Sequence, residues 1–179
     1  MKYILIFILF LSSFVFATPD DSQVLHIYLC SRLTEAAKKW NDEISKELGK
    51  GFYLFRPQDV DLNAFSQDER DLAAYKADFE GMNQSHLLLV LPPYGRDCAW
   101  EIGWFNGQEK PAIAYTEFTG DWLKDAMVKG GLTAIVTNNL ELYHLLLNDP
   151  SISKKSYWIS SRESLPLIIK EIYDQSLKK

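Results

Sequence analysis

Leu87–Tyr115, LLLVLPPYGRDCAWEIGWFNGQEKPAIAY, is the stretch that decides the fold. His86 to Leu91 is apolar at every position after the first, as a strand covered on both faces requires. Pro92-Pro93 stops it. A helix follows from Asp97 to about Gly107, and Pro111 to Tyr115 is a second buried strand. When two parallel strands flank such a helix, the intervening loop lies at the carboxyl edge of the sheet, where open α/β folds bind ligands. Glu101 sits in the first turns of this helix and Asp97 lies four residues before it. A glutamate in that position can be a nucleophile, a base or a sugar ligand.

The same alternation extends both ways. Upstream, Val24 to Cys30 and Gly51 to Phe55 read as strands. A helix from Thr34 to Leu48 lies between them, with Ala36, Ala37, Trp40, Ile44 and Leu48 on one side, Thr34 as its cap and Gly49 at its end. Asp68 to Met82 is helical, with Leu72, Tyr75, Phe79 and Met82 as its apolar stripe. Downstream, Trp122 to Val128 is a short helix, Leu132 to Thr137 a fifth strand, and Asn139 to Leu147 and Ser164 to Leu177 helices; Lys154 to Arg162 reads as irregular surface. Strands alternating with helices predict a single doubly wound α/β domain of the flavodoxin or Rossmann type. The expected sheet has five parallel strands with helices on both faces. No internal repeat or linker divides residues 18–179.

The N-terminus stands apart. Lys2 precedes YILIFILFLSSFVFA, an apolar run shorter than the roughly 20 residues of a membrane span. Val15 and Ala17 place small residues before an abrupt polar change at Thr18. Residues 1–17 therefore read as a secretory signal cleaved after Ala17, which implies a secreted or periplasmic protein with no stable membrane insertion after cleavage; an uncleaved anchor is the alternative reading. What remains is one domain's worth of chain, enough to bury roughly 70% of its unfolded surface. The net charge of −5 argues against a nucleic acid or an anionic membrane as partner. His26, His86 and His144 are scattered and no CxxC or HExxH motif is present, so neither a metal nor a cofactor is expected.

Asp97 suits the N-cap of the helix that carries Glu101. Residues four apart share a helix face, so the two carboxylates can point the same way. Their repulsion tends to raise one pKa while the helix N-terminus favours the charged forms. Two carboxylates in unlike environments are what glycosidic-bond chemistry uses. Acids are also common in a first helical turn because of the dipole alone, and capping with solvation remains the bland reading. Gly95 turns the loop, and Gly103 is placed to let the helix approach the sheet.

Five pieces of the chain together resemble the nucleoside 2-deoxyribosyltransferase family and its deoxynucleoside-monophosphate hydrolase relatives. They are Ile27-Tyr28-Leu29, Asp78-Phe79, Leu87 to Leu91, Trp100-Glu101-Ile102-Gly103 and Lys110-Pro111-Ala112-Ile113. The resemblance covers most of residues 24–137. It implies that Glu101 is a nucleophile that attacks the anomeric carbon of a 2-deoxyribosyl group and expels the base. The glycosyl group then passes to another base or to water. It implies that Tyr28 orients the nucleophile, that Asp78 contacts the leaving base, and that Asp97 touches the sugar. It further implies a small nucleoside or nucleotide as partner, and a homo-oligomer in which neighbouring subunits complete the site. Trp100, Trp104 and Phe105 can stack on bases or serve as core and subunit contacts. Asp59, after the second strand, can reach the mouth of the pocket.

The chain also departs from that pattern. Ser85-His86 stands where the family carries an aspartate before the third strand, and Asp97 is two residues nearer the glutamate than usual. The loop Cys30-Ser31-Arg32-Leu33 is not glycine-rich. Arg32 can bind a phosphate or carboxylate there, or be a solvated arginine. His86 can be an acid near neutrality, though a strand-end residue with a backbone partner is preferred. A catalytically inactive nucleotide-binding module and an NAD-type glycohydrolase therefore stay open beside the transferase. In the doubly wound order the first and third strands are neighbours, which should bring Cys30 and Cys98 close. Pairing and two independent thiols both remain open.

Overall fold

The structure is a computed structural model that describes residues 24–120 and 124–178. The leader read at residues 1–17 lies outside the described residues. Among those described, no helix is long and apolar enough to cross a membrane.

The strands are β1 (Leu25–Ser31), β2 (Phe52–Phe55), β3 (Leu87–Leu91), β4 (Ala112–Tyr115), β5 (Ala134–Thr137) and β6 (Ser156–Trp158). The helices are α1 (Glu35–Leu48), α2 (Gln67–Gln84), α3 (Asp97–Gly107), α4 (Ala126–Gly131), α5 (Leu140–Leu147) and α6 (Leu165–Ser176). The strands form one sheet in the order β2-β1-β3-β4-β5-β6, with every neighbouring pair parallel. The expected five strands are thus six. The sixth lies inside the stretch read as surface loop. It is three residues long, and only Ser156 of SYW is buried, so it carries neither an apolar run nor a usable alternation.

Alternate residues of each buried strand feed opposite cores. Ile27, Leu29, Leu87, Leu89, Leu91, Ile113 and Tyr115 pack beneath α1 and α6. Tyr28, Cys30, Leu88, Val90, Ala112 and Ala114 pack beneath α2 to α5. All of β3 is fully buried, which explains its lack of polar alternation. The chain runs from β1 through α1 on one face, and from β2 through α2 to β3 on the other. Successive connections therefore diverge between β1 and β3, the switch point where such sheets open a crevice at their carboxyl edge.

Several local signals act as read. Thr34 accepts the Ala37 N–H at 3.4 Å, and Gly49 ends α1 at φ 62°. Others need correction. Ser66 opens α2 with a capping box to Glu69, two residues earlier than the apolar spacing indicated. The stripe read on α2 is fully buried only at Met82; Phe79 is partly buried against the core, and Leu72 and Tyr75 are each 56% exposed. Asp97 is the first residue of α3 and not its N-cap. Arg96 holds that place in helical conformation with no side-chain capping bond. Gly103 faces outward, with open space where a Cβ would stand, so close approach to the sheet is not its purpose. The helix read from Trp122 falls partly outside the described residues. In the described part it is opened by Asp125, which accepts the N–H groups of Met127 and Val128.

Candidate active site

Glu101 lies on the buried face of α3, 7% exposed, within an otherwise apolar core of Cys98, Ile102 and Phe105. The phenol of Tyr28, on β1, donates to Glu101 Oε1 at 2.9 Å. Tyr28 is itself fixed on two sides. The Phe55 ring stacks on it at 5.3 Å and Phe105 tilts against it at 6.2 Å. A Cβ at Gly81 would stand 2.5 Å from the Phe55 ring. This glycine inside α2 is thus what lets Phe55 reach Tyr28.

Burial pushes the Glu101 carboxyl up to about 8; the charges of Asp97 and Asp78 add to the rise, while the Tyr28 bond opposes it. Asp78, on α2 and half-buried, is raised to about 6, by burial first and then by Asp97. Asp78 ionises before Glu101, so its charge is already present when Glu101 loses its proton. Tyr28 is pushed far above its ordinary value by burial and by the three carboxylates, and it remains a phenol that donates. Asp97 is exposed, and its Oδ1 accepts the Cys98 N–H at 3.1 Å. A Cβ at Gly95 would collide with that carboxylate, which gives the loop glycine a definite purpose.

The four residues expected to be catalytic, Tyr28, Asp78, Asp97 and Glu101, thus form one electrostatic cluster. The three expected to bind substrate are dispersed. Arg32 lines a cavity of about 550 Å³ at the carboxyl edge, with Pro92, Pro93, Tyr94, Phe118, Thr119 and Asp125 among its neighbours. Asp59 is exposed and ion-paired with Arg56 at 2.8 Å, an arginine that Asp42 also binds; it is a surface pair and not part of the cluster. His86 precedes β3 at the opposite, amino edge, where its Nδ1 accepts the His26 N–H at 2.9 Å. It is a strand-end residue with a backbone partner, which is the preferred of its two readings.

Lys110, read only as part of a motif, has a structural role. Its Nζ donates to the carbonyls of Asn83 and Ser85 at 3.0 and 2.7 Å and lies over the Trp104 ring at 5.3 Å. A cation at the C-terminal end of α2 suits the helix dipole and fixes α2, with Asp78, against α3, with Glu101. Sequence reasoning missed Gly81 and Phe55. A glycine in a helix interior, three residues before its last, was the available sign.

Cys30 and Cys98 form a disulfide with a Cα–Cα separation of 5.9 Å. Their sulfurs and a Glu101 oxygen all lie within 4.8 Å of one another. With the sulfurs joined, neither offers the thiolate that a metal would need, so this trio does not fit a metal site.

Fold and cluster together define a doubly wound α/β domain with a buried, tyrosine-held carboxylate near its ligand-binding edge. The family model of nucleoside 2-deoxyribosyltransferases matches residues 27–142. That is more than half of the chain, which belongs to the nucleoside 2-deoxyribosyltransferase family. Among solved structures, the 2-deoxyribosyltransferase of the psychrotolerant bacterium Bacillus psychrosaccharolyticus is 20% identical. Its TM-score is 0.49, and the match covers 62% of this chain and 84% of that one. A conserved protein of Enterococcus faecalis V583 is 22% identical with a TM-score of 0.49, over 83% of this chain and 98% of its own. No curated protein sequence matches.

The phenol at Tyr28 gives a test of the cluster. Tyr28→Phe removes a bond to a carboxylate, worth about 1.5–3 kcal/mol when the acceptor is charged. Base release from a substrate nucleoside is expected to fall about ten- to a hundredfold. The alkaline limb of the pH–rate profile should move to higher pH, because the bond that holds the Glu101 pKa down is gone. An unshifted limb and an unchanged rate would remove Tyr28 from the site.

Proposed function

We propose that this protein cleaves the N-glycosidic bond of a 2-deoxynucleoside or its nucleotide, and passes the sugar to another base or to water. The observation that carries the reading is the buried Glu101 carboxylate held by the Tyr28 phenol. In the ionised form Glu101 attacks the anomeric carbon, and the bond from that carbon to the base nitrogen breaks. The bonding electrons leave with the base, and Asp78 supplies the proton from the singly protonated pair when that proton sits on Asp78 and not on Glu101. In the second half, Asp78 accepts a proton from the incoming base or water as that nucleophile displaces Glu101 from the sugar. Burial of Glu101 keeps the glycosyl ester away from casual hydrolysis. The chemistry asks for no cofactor.

Arg32 favours a phosphorylated substrate. It lines the cavity at the carboxyl edge, where a planar guanidinium can grip phosphate oxygens. Export to a secreted or periplasmic compartment is part of the same reading, as is assembly with a second copy around the exposed aromatic residues of α2 and α3. The displaced Asp97 and the missing aspartate before β3 support the second reading, a nucleotide-binding module without turnover. An NAD-type glycohydrolase would use the same glutamate.

A panel decides among these. Purified protein incubated with deoxynucleosides, deoxynucleotides and NAD is expected to release free base from a deoxy substrate, with Arg32→Ala lowering turnover of the nucleotides selectively. Release of nicotinamide alone makes it the glycohydrolase. Ligand binding with no release anywhere on the panel overturns catalysis and leaves the module.

A further inference from the structure

We propose that the Cys30–Cys98 disulfide is a positioning crosslink for the nucleophile, holding Glu101 in register with Tyr28. The inference rests on the reading of Glu101 given above.

The geometry is that of two rungs between one strand and one helix. Tyr28 and Cys30 are two residues apart on β1 and point into the same core. Cys98 and Glu101 are three residues apart on α3, both on its buried face. The disulfide joins Cys30 to Cys98, and the hydrogen bond joins Tyr28 to Glu101. Both rungs are buried, with each cysteine 1% exposed.

The first turn of α3 has little else to fasten it. Its N-cap residue Arg96 makes no side-chain capping bond, and Asp97 turns back on its own neighbour, the Cys98 N–H. Farther along, Ile102 and Phe105 anchor the helix in the core. The covalent rung therefore governs the turn that leads into Glu101. A dithiol would deliver two electrons and two protons to the sulfurs, leaving two thiols here and a cyclic disulfide on the reductant. Two unbonded sulfurs then stand apart by van der Waals contact, on the order of 1 Å or more beyond a covalent S–S bond. A displacement of about 1 Å at a catalytic group can cost about a hundredfold in rate. The buried Glu101 would also gain water, and burial is the largest cause of its raised pKa.

The test compares parent protein with the Cys30→Ala/Cys98→Ala variant, far below either melting temperature. kcat for base release is expected to fall about ten- to a hundredfold with KM within about twofold. The Glu101 carboxyl resonance in protein labelled with ¹³C-glutamate, assigned by its loss in Glu101→Gln, is expected to titrate about a pH unit lower. Loss of a purely stabilising disulfide would lower the melting temperature and move neither quantity. A folded variant with parental kcat and parental Glu101 titration overturns the proposal. Should the variant not fold, folded parent treated with dithiothreitol, with its thiols counted by mass, gives the same two readouts. A parent that is inactive on every substrate refutes the proposed reaction, and the titration alone then decides the crosslink.

Discussion

Glu101→Gln is expected to abolish base release, by at least about 10³-fold, the scale on which loss of a positioned catalytic group is felt. The amide keeps the volume of the side chain and can still accept from the Tyr28 hydroxyl, so binding of substrate should persist. Stability is expected to change in the opposite sense. A carboxyl whose folded pKa lies above its unfolded one contributes stability below the ordinary carboxyl range, and loses it as the pH rises through the folded value. For Glu101 that window runs from about 4.5 to about 8. At about 1.4 kcal/mol per pKa unit, the parent gives up several kcal/mol across it, and the glutamine variant gives up none on this account. Thermal melting at pH 5 and pH 9 checks the point. The variant should equal the parent at the lower pH and melt well above it at the higher. Equal melting at both would mean that Glu101 is not held in an apolar setting, and undiminished turnover would end its role as nucleophile.

The second large effect is a bell-shaped pH dependence of kcat/KM. In the proposed reaction the reactive form carries the pair's single proton on Asp78, with Glu101 ionised, the minor of its two placements because Asp78 is the stronger acid. That total protonation state predominates between about 6 and about 8, the two values raised by burial. Below about 6 both acids are protonated and no nucleophile is present. Above about 8 both are ionised and the leaving base receives no proton. The rate should therefore peak near pH 7 and fall about tenfold per pH unit on either side. The two limbs belong to the coupled pair and not to either residue alone. Asp78→Asn should remove the alkaline limb for substrates whose base needs a proton. A parental profile that rises through pH 8 and stays level would take the acid role from Asp78.

Much of the architecture was legible because β3 and β4 have no polar position to hide. A parallel strand covered on both faces writes itself as an apolar run, and LLLVL and AIAY do so. β6 was invisible for the converse reason. It is an edge strand of three residues whose outer end is exposed, and pairing with β5 rather than its own composition makes it a strand. The site divides in the same way. Glu101 and Tyr28 fell inside recognisable pieces, and Asp78 followed from its place beside Phe79. The role of Asp97 as a cap failed because Arg96 already has helical backbone, a matter of one residue that side-chain chemistry does not specify. His86 and Asp59 were placed by position along a strand, which says which edge is near, whereas pairing decides what the side chain does. His86 meets His26 at the amino edge, and Asp59 meets Arg56. Gly81 was missed because its reason lies on another element, in a phenylalanine ring 26 positions earlier.

The last quarter of the chain adds nothing to the carboxylate cluster, yet it fastens the first helix. After β6, Arg162 forms a two-pronged bond with Glu117 at 2.6 and 2.7 Å, reaches Glu43 of α1 at 3.2 Å, and lies 4.7 Å over the Trp40 ring. Glu117 also accepts from Tyr115 and Asn138. An arginine 119 positions downstream of its partner closes a long loop, and because the entropy of closing that loop must be met before the contact forms, the first helix is expected to be fastened late in folding.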